Sequence, residues 1–436
     1  MSFLKYFFRS TIILLLTSPV VILIITLQTE PTIQENRPLT SREVSALENL
    51  ILNLAPESLD KPSLVDISLD DSDISLLLRH SLQLTNLSDR WSIKVLAEAH
   101  TINYGSSWRI PLKSFSLYLN LKADFQHENG QLKLNDLYVG NLQIPKYLTD
   151  QLVKFVDSTV LDSSSAYLTV ERFLEQISIK SIASSKINIR LDWEPEFLSE
   201  LSDYAQRWFI SSDDKERIIR HYLLINDVVT TVPTNIRAIS IIELLEATFA
   251  AAYKSSLAGA DPLAENRTLL QTLAIYVNNE NIAKLIGSDA ASDLPVARFI
   301  EVRLLRRQDL AQHVASVAAI TASLGPDLAA LLSTAKETYD ARYRSGFSFS
   351  DLTANSVGVT LASLAMRDTS SAIEMQKRLS ELRTESDLMP EIGNSRDGLS
   401  ESTFSAIYAD SSSAEYIQKV NEIREAIEGK PIFQGL

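Results

Sequence analysis

The chain has 436 residues, with 41 Lys and Arg against 55 Asp and Glu, a net charge of −14, and no cysteine. That charge repels a phosphate backbone, so nucleic acid is not an expected partner, and the missing thiols exclude disulfides, thiolate metal sites and cysteine nucleophiles. With only 12 glycines, the chain carries neither a dinucleotide fingerprint nor a Walker loop, and it lacks the Gly-x-Ser-x-Gly elbow of serine hydrolases.

At the N-terminus, Lys5 and Arg9 precede an uncharged run from Ser10 to Thr29, dense in Ile, Leu and Val. A helix of that length rises about 30 Å, the hydrocarbon thickness of a bilayer. The expectation is an uncleaved transmembrane anchor over residues 10–29, with residues 1–9 cytoplasmic, a linker over 30–39, and the bulk of the chain in the periplasm. That places the protein at the inner membrane of a Gram-negative-like envelope, with the membrane as its first partner.

Thr40 and Glu43 then form a capping box, and Val44, Leu47, Leu50, Ile51 and Leu54 share one face of a helix that Pro56 ends. Val65, Ile67 and Leu69 alternate as a strand, and Asp70, Asp71 and Asp73 cap a helix running to Leu82. Residues 91–104 are strand-like. Phe115 to Phe125 alternate without a break, and the turn His127-Glu-Asn-Gly130 returns the chain as Leu132 to Ile144. The apolar phase slips by one between Leu134 and Leu137, as a bulge causes. A helix follows Pro145, and Lys186 to Trp193 gives one more strand. Residues 40–195 are therefore expected to be an α+β domain around a long, curved antiparallel sheet.

This order, with Val139-Gly-Asn-Leu-Gln-Ile-Pro145 before a helix, resembles the YpmS-like family of membrane-anchored envelope proteins, itself similar to the tubular lipid-binding domains. The resemblance implies a sheet curled round a helix that holds acyl chains in an apolar furrow. Read from periodicity alone, the same apolar faces equally suit packing on helices with no groove.

After Trp193 the strands stop, and residues 196–436 read as an all-α domain. Helical periodicity runs through 196–209, 213–230, 236–257, 262–277, 309–323, 327–343, 350–366, 369–383, 401–408 and 413–428. Ile236 to Ala252 is nearly apolar, but Arg237, Glu243 and Glu246 make a buried bundle helix the better reading than a second membrane pass, with an interfacial helix as the alternative.

The residues most suggestive of chemistry lie at 313–358. His313 sits on a helix crowded with Ala315, Ser316, Ala318, Ala319 and Ala322, and Lys336-Glu337-Thr-Tyr-Asp340 and Gly346-Phe-Ser-Phe-Ser-Asp-Leu-Thr-Ala-Asn355-Ser-Val-Gly358 follow. Glu337 and Asp340 share one helix face, as do Asp351, Asn355 and Gly358. Two readings stand side by side. In one, Lys336 and Asp340 form an i,i+4 ion pair, Asp351 caps a helix, Gly358 is a close-packing point and His313 is a core histidine. In the other, His313, Glu337, Asp340 and Asp351 converge as ligands for a divalent cation or as general acid and base. Glu265 and Arg267, on a well-capped helix start, either line the same cleft or form a solvated first turn. The remaining histidines, His80, His100, His127 and His221, have no ligand spacing.

The pattern of a histidine helix, Lys-Glu…Asp, Gly-Phe-Ser-Phe-Ser and Asp-Leu-Thr-Ala-Asn-Ser-Val-Gly resembles the VanZ-like family and the related YfiM-like lipoproteins over about 50 residues. That resemblance implies a cell-envelope role. The functional expectation is a noncatalytic module binding a lipid or lipid-linked glycan, with no cofactor. The alternative is a metal-assisted hydrolase or transferase acting on an envelope glycan or lipid through His313, Glu337, Asp340 and Asp351. A structural partner of other envelope proteins also fits.

Overall fold

A computed structural model of the chain describes residues 26–34, 36–37, 39–59, 61–83, 89–128, 131–155, 176–195, 210–391, 397–411 and 413–436. The chain divides into two compact units, one of residues 1–43 and 54–197, the other of residues 44–53 and 198–436.

The first unit is built on two antiparallel sheets. β1 (Leu27–Gln28), β3 (Trp91–Glu98), β4 (Thr101–Pro111), β5 (Ser116–Glu128), β6 (Gln131–Val139) and β7 (Leu142–Gln143) form one, in the order β3-β4-β5-β6-β7 with β1 on β5. β2 (Ser63–Asp70), β8 (Ile177–Ala183) and β9 (Lys186–Trp193) form the other, in the order β2-β9-β8. One long curved sheet was the expectation; the hairpin β8–β9, whose first strand the periodicity did not reveal, makes a separate sheet instead. The strand-like stretch 91–104 is a hairpin rather than one strand, because His100 takes a left-handed turn conformation at φ 66°. The expected bulge is present: Asp124 pairs Asp136 and Phe125 pairs Leu134, leaving Asn135 as the extra residue.

Strand register gathers the apolar side chains on one face. Trp91, Trp108 and Leu119 lie in one cross-strand row and Ala97, Ile102, Phe125 and Leu134 in another. The second row is where Ala97 and Ile102 bury against Ile182 and Ile187 of the smaller sheet and Ile74 of the helix Asp71–Gln83. The opposite face is polar. There Thr32 N and Ile33 N each donate to Ser107 Oγ at 3.0 Å, Ser107 Oγ donates to Asn120 Oδ1 at 2.6 Å, and Asn120 Nδ2 donates to Glu30 O at 3.0 Å.

The membrane reading is corrected on one point: among the described residues no helix is long and apolar enough to cross a membrane, against the expected single-pass inner-membrane anchor. Residues 10–25 of the expected anchor lie outside the described residues. Of its described end, Thr26 is helical and Leu27–Gln28 form a short strand, Leu27 pairing Leu119 and Gln28 pairing Tyr118. Residues 30–33, read as a linker leaving a membrane, are pinned to the sheet by the hydrogen bonds above.

The second unit is helical. The helix α1 (Ser41–Leu54) gives it residues 44–53, with Leu47, Leu50 and Leu52 buried. There follow α2 (Ser212–Thr231), α3 (Ile241–Leu257), α4 (Pro262–Val277), two short helices at 283–286 and 288–291, α5 (Gln308–Leu324), α6 (Pro326–Tyr343), α7 (Phe349–Met366), α8 (Thr369–Ser380), a short helix at 385–388, α9 (Glu401–Tyr408) and α10 (Ala414–Glu428). The expected helix 196–209 lies outside the described residues. Strands do not stop at Trp193: Ala238–Ser240 and Glu301–Arg303 pair in parallel inside this unit, too short for a period-2 signal. Ile241 to Ala252 is a buried bundle helix as the charges indicated, with Leu244, Phe249 and Ala252 fully buried.

The helices α5 and α7 pack backbone against backbone. A Cβ placed on Gly358 would lie 2.7 Å from Val314 O and 3.0 Å from Ala318 N, and Ala315, Ala318 and Ala322 are buried along the same seam. Both clashes are with backbone, so neither is relieved by a side chain turning away. Replacing Gly358 by Ala is expected to destabilise the chain by about 1–3 kcal/mol through overpacking, read as a drop in the denaturant midpoint at unchanged slope; an unchanged midpoint contradicts the backbone contact.

Candidate functional site

The α5–α7 seam, with α6 beside it, sets the geometry of the polar cluster. Ser348 caps α7 by accepting from Asp351 N at 3.0 Å. The side chain of Asp397 accepts from Ser348 Oγ, Ser350 N and Ser350 Oγ at 3.0, 3.1 and 2.6 Å, fixing the same helix start. Asp351 is therefore not the cap. Its carboxylate turns inward, Oδ1 accepting from Arg307 Nη2 at 3.1 Å and Oδ2 lying 3.5 Å from His313 Nε2.

One helical turn on, Asn355 joins the three helices. Its Oδ1 is 2.8 Å from His313 Nδ1, and its Nδ2 donates to Glu337 Oε1 at 3.5 Å. An amide whose nitrogen faces a carboxylate turns its oxygen to the imidazole, so His313 donates from Nδ1 and leaves the lone pair of neutral Nε2 aimed at Asp351. A lone pair facing a carboxylate oxygen needs a proton or a metal cation between them. The candidate ligand atoms of His313, Glu337 and Asp351 all lie within 4.8 Å of one another. Glu337 is 1% exposed, and its Oε2 is buried with no hydrogen-bond partner.

Charge balance shows the same deficit. Burial raises the Glu337 carboxyl to about 7 against the pull of the Lys336 ammonium. Burial also raises Asp351 and, together with Lys336, lowers His313. Each of the three is pushed toward its neutral form, as expected for charged groups out of water without enough counterions. The two cations present are shared with carboxylates outside the cluster. Lys336 lies 3.1 Å from Asp340 and 3.5 Å from Glu337, and Arg307 holds Asp309 at 2.6 Å and Asp397 at 2.9 Å as well as Asp351. Arg307 is delivered by a tight turn in which Leu305 and Arg306 both have positive φ, 53° and 66°, a strained conformation for side chains of that kind.

Of the expected residues, His313, Glu337 and Asp351 come together. Asp340 does not join them: it pairs with Lys336 one turn further along α6. Glu265 and Arg267 belong to a different network on α2 and α4, Glu265 meeting Arg220 at 2.6 Å and His221 at 3.3 Å, and Arg267 meeting Asp214 at 3.0 Å. Glu265 is 1% exposed, not a solvated first turn. Spacing placed Asn355 on the face of Asp351 but gave it no role; Arg307 is the functional-type residue that was missed, and nothing local in the sequence marks it.

No family model, no curated protein and no solved structure matches the chain.

The buried Glu337 carboxyl has a direct consequence for stability. Its pKa in the fold is raised above its unfolded value of about 4.5, so the fold binds the proton more tightly than the unfolded chain does. That contribution is fully present below pH 4.5 and is lost as pH rises toward 7, on the order of 3 kcal/mol in all. Equilibrium unfolding at several pH values in the presence of a chelator is expected to show this fall in the parent chain and a flatter profile in Glu337→Gln. Identical profiles would mean that Glu337 is not held neutral.

Proposed function

We propose that the helical unit holds one divalent cation between α5, α6 and α7, through His313, Glu337 and Asp351, and works as a metal-assisted hydrolase or transferase. The observation that carries this reading is Glu337 Oε2, a buried carboxylate oxygen with no hydrogen-bond partner, on a residue whose ligand oxygen lies within 4.8 Å of an imidazole nitrogen and a second carboxylate oxygen. One nitrogen and two oxygens form a donor set for zinc, manganese or ferrous iron, whereas calcium prefers oxygen alone. Asn355 supplies the orienting contact that metal-bound imidazoles require, fixing the ring through Nδ1 so that Nε2 is the ligand atom. Three protein ligands leave open positions, where a bound cation supplies an activated water and polarises a substrate oxygen. Lys336, half exposed at the edge of the cluster, adds positive charge where a polar substrate would approach.

A second reading has one observation of its own. Arg307 already neutralises Asp351 at 3.1 Å, which suits a purely structural ion network closed by a proton shared between His313 and Asp351. The lipid-binding reading has less support. The half-buried Trp91–Trp108–Leu119 row favours it, but the cavity found in the sheet unit lies on the opposite face and is lined by Ser92, Ser107, Arg90 and Arg109.

Metal uptake separates the first two readings. The full chain, stripped with chelator and titrated with Zn2+, Mn2+ and Mg2+, is expected to bind one ion per chain. His313→Ala and Asp351→Asn abolish or strongly weaken that binding, and Asn355→Ala weakens it about 10–100-fold, as loss of an orienting partner does. A natively folded chain that takes up none of the three ions, or uptake indifferent to His313→Ala, overturns the proposal.

A further inference from the structure

A different part of the helical unit forms a cavity of about 420 Å3 between α2, the end of α4 and residues 279–299, a size that suits a small ligand. Three aromatic rings line it, Tyr222, Tyr276 and Phe299, and Glu280 is the charged side chain in its wall. The two tyrosines are fixed. Tyr222 Oη accepts from Ala297 N at 3.0 Å, while Tyr276 Oη donates to Arg298 O at 2.9 Å and accepts from Ile300 N at 3.1 Å. Phe299 leans on Tyr276 with ring centroids 6.2 Å apart at 50° and stays 39% exposed, and Val296 beside the opening is 94% exposed. Asn279, also in the wall, is held at φ 55°, an uncommon conformation for a residue with a side chain.

The local cations do not line this space. Arg298 donates inward to Val229 O at 2.8 Å and Val232 O at 2.7 Å, at the end of α2. Lys284 stands 3.3 Å from Glu280 Oε2, each side chain about a third exposed. Aromatic rings and a carboxylate in the lining, with Lys284 outside it, favour a cation over an anion. Exposed apolar surface at Phe299 and Val296 adds contact area for alkyl groups. From this charge complementarity we infer that the cavity takes a small organic cation of the alkylammonium class, its alkyl groups against Phe299 and Val296 and its charge toward Glu280. The inference is independent of the His313 cluster.

Calorimetric titration of the full chain with choline, and with its neutral isostere in which carbon replaces the quaternary nitrogen, tests it. Choline is expected to bind at least about tenfold more tightly than the isostere, the margin a cation gains over ring faces and a carboxylate. Phe299→Ala and Glu280→Gln, both at exposed positions, should keep a native circular dichroism spectrum and each weaken choline binding several-fold, while His313→Ala leaves it unchanged. The inference is overturned by equal binding of the isostere, by tighter binding of inorganic phosphate, by choline binding that neither variant weakens, or by a native chain that binds no choline.

Discussion

Two helices that touch backbone to backbone fix everything beside them to within a fraction of an ångström, and α5 against α7 is that contact here. Gly358 permits it, since a Cβ there would stand 2.7 Å from Val314 O. The same approach that suits alanines and one glycine along the seam carries His313 against Asp351 and Asn355 at its polar end. Polar groups brought together this way cannot relax apart without opening an apolar core that includes Val314, Ala318, Val357 and Leu361. The cluster's frustration is thus maintained by packing elsewhere, the condition under which natural folds retain unsatisfied groups at working sites.

Much of the helical unit was legible because its signals are local. The i,i+3 spacing of Glu337 and Asp340 and the i,i+4 spacing of Asp351 and Asn355 each follow from the geometry of one helix. What spacing cannot supply is the rotation of one helix against another. Asp340 shares a face with Glu337, yet the α6 orientation turns Glu337 onto His313 and leaves Asp340 to Lys336. Arg307 was invisible for a similar reason: it reaches the cluster from a turn whose positive φ angles fall on Leu305 and Arg306, residues that advertise no turn. The short parallel pair at 238–240 and 301–303 joins segments about sixty residues apart, beyond any local pattern.

In the sheet unit the alternation of β5 and the slip at Asn135 were readable because one face is apolar throughout. At the N-terminus the described residues begin at Thr26, and Leu27–Gln28 is a strand because Leu119 and Tyr118 offer it a pairing edge. The residues after it are held by Ser107 and Asn120, two buried polar side chains in the middle of strands. Their position was a signal that the polar face of this sheet has an occupant from the chain itself.

The central claim is that His313 presents an unprotonated Nε2 to a space shared with Glu337 and Asp351, with Nδ1 tied to Asn355. Nitrogen NMR of the His313 imidazole, recorded near neutral pH before and after addition of Zn2+, reads both atoms at once. The account predicts a protonated Nδ1 throughout and an Nε2 resonance that moves from the free-base position to the metal-bound position at one equivalent of ion. An Nε2 that is protonated at the outset and unmoved by the metal would identify the cluster as a closed His313–Asp351 ion pair.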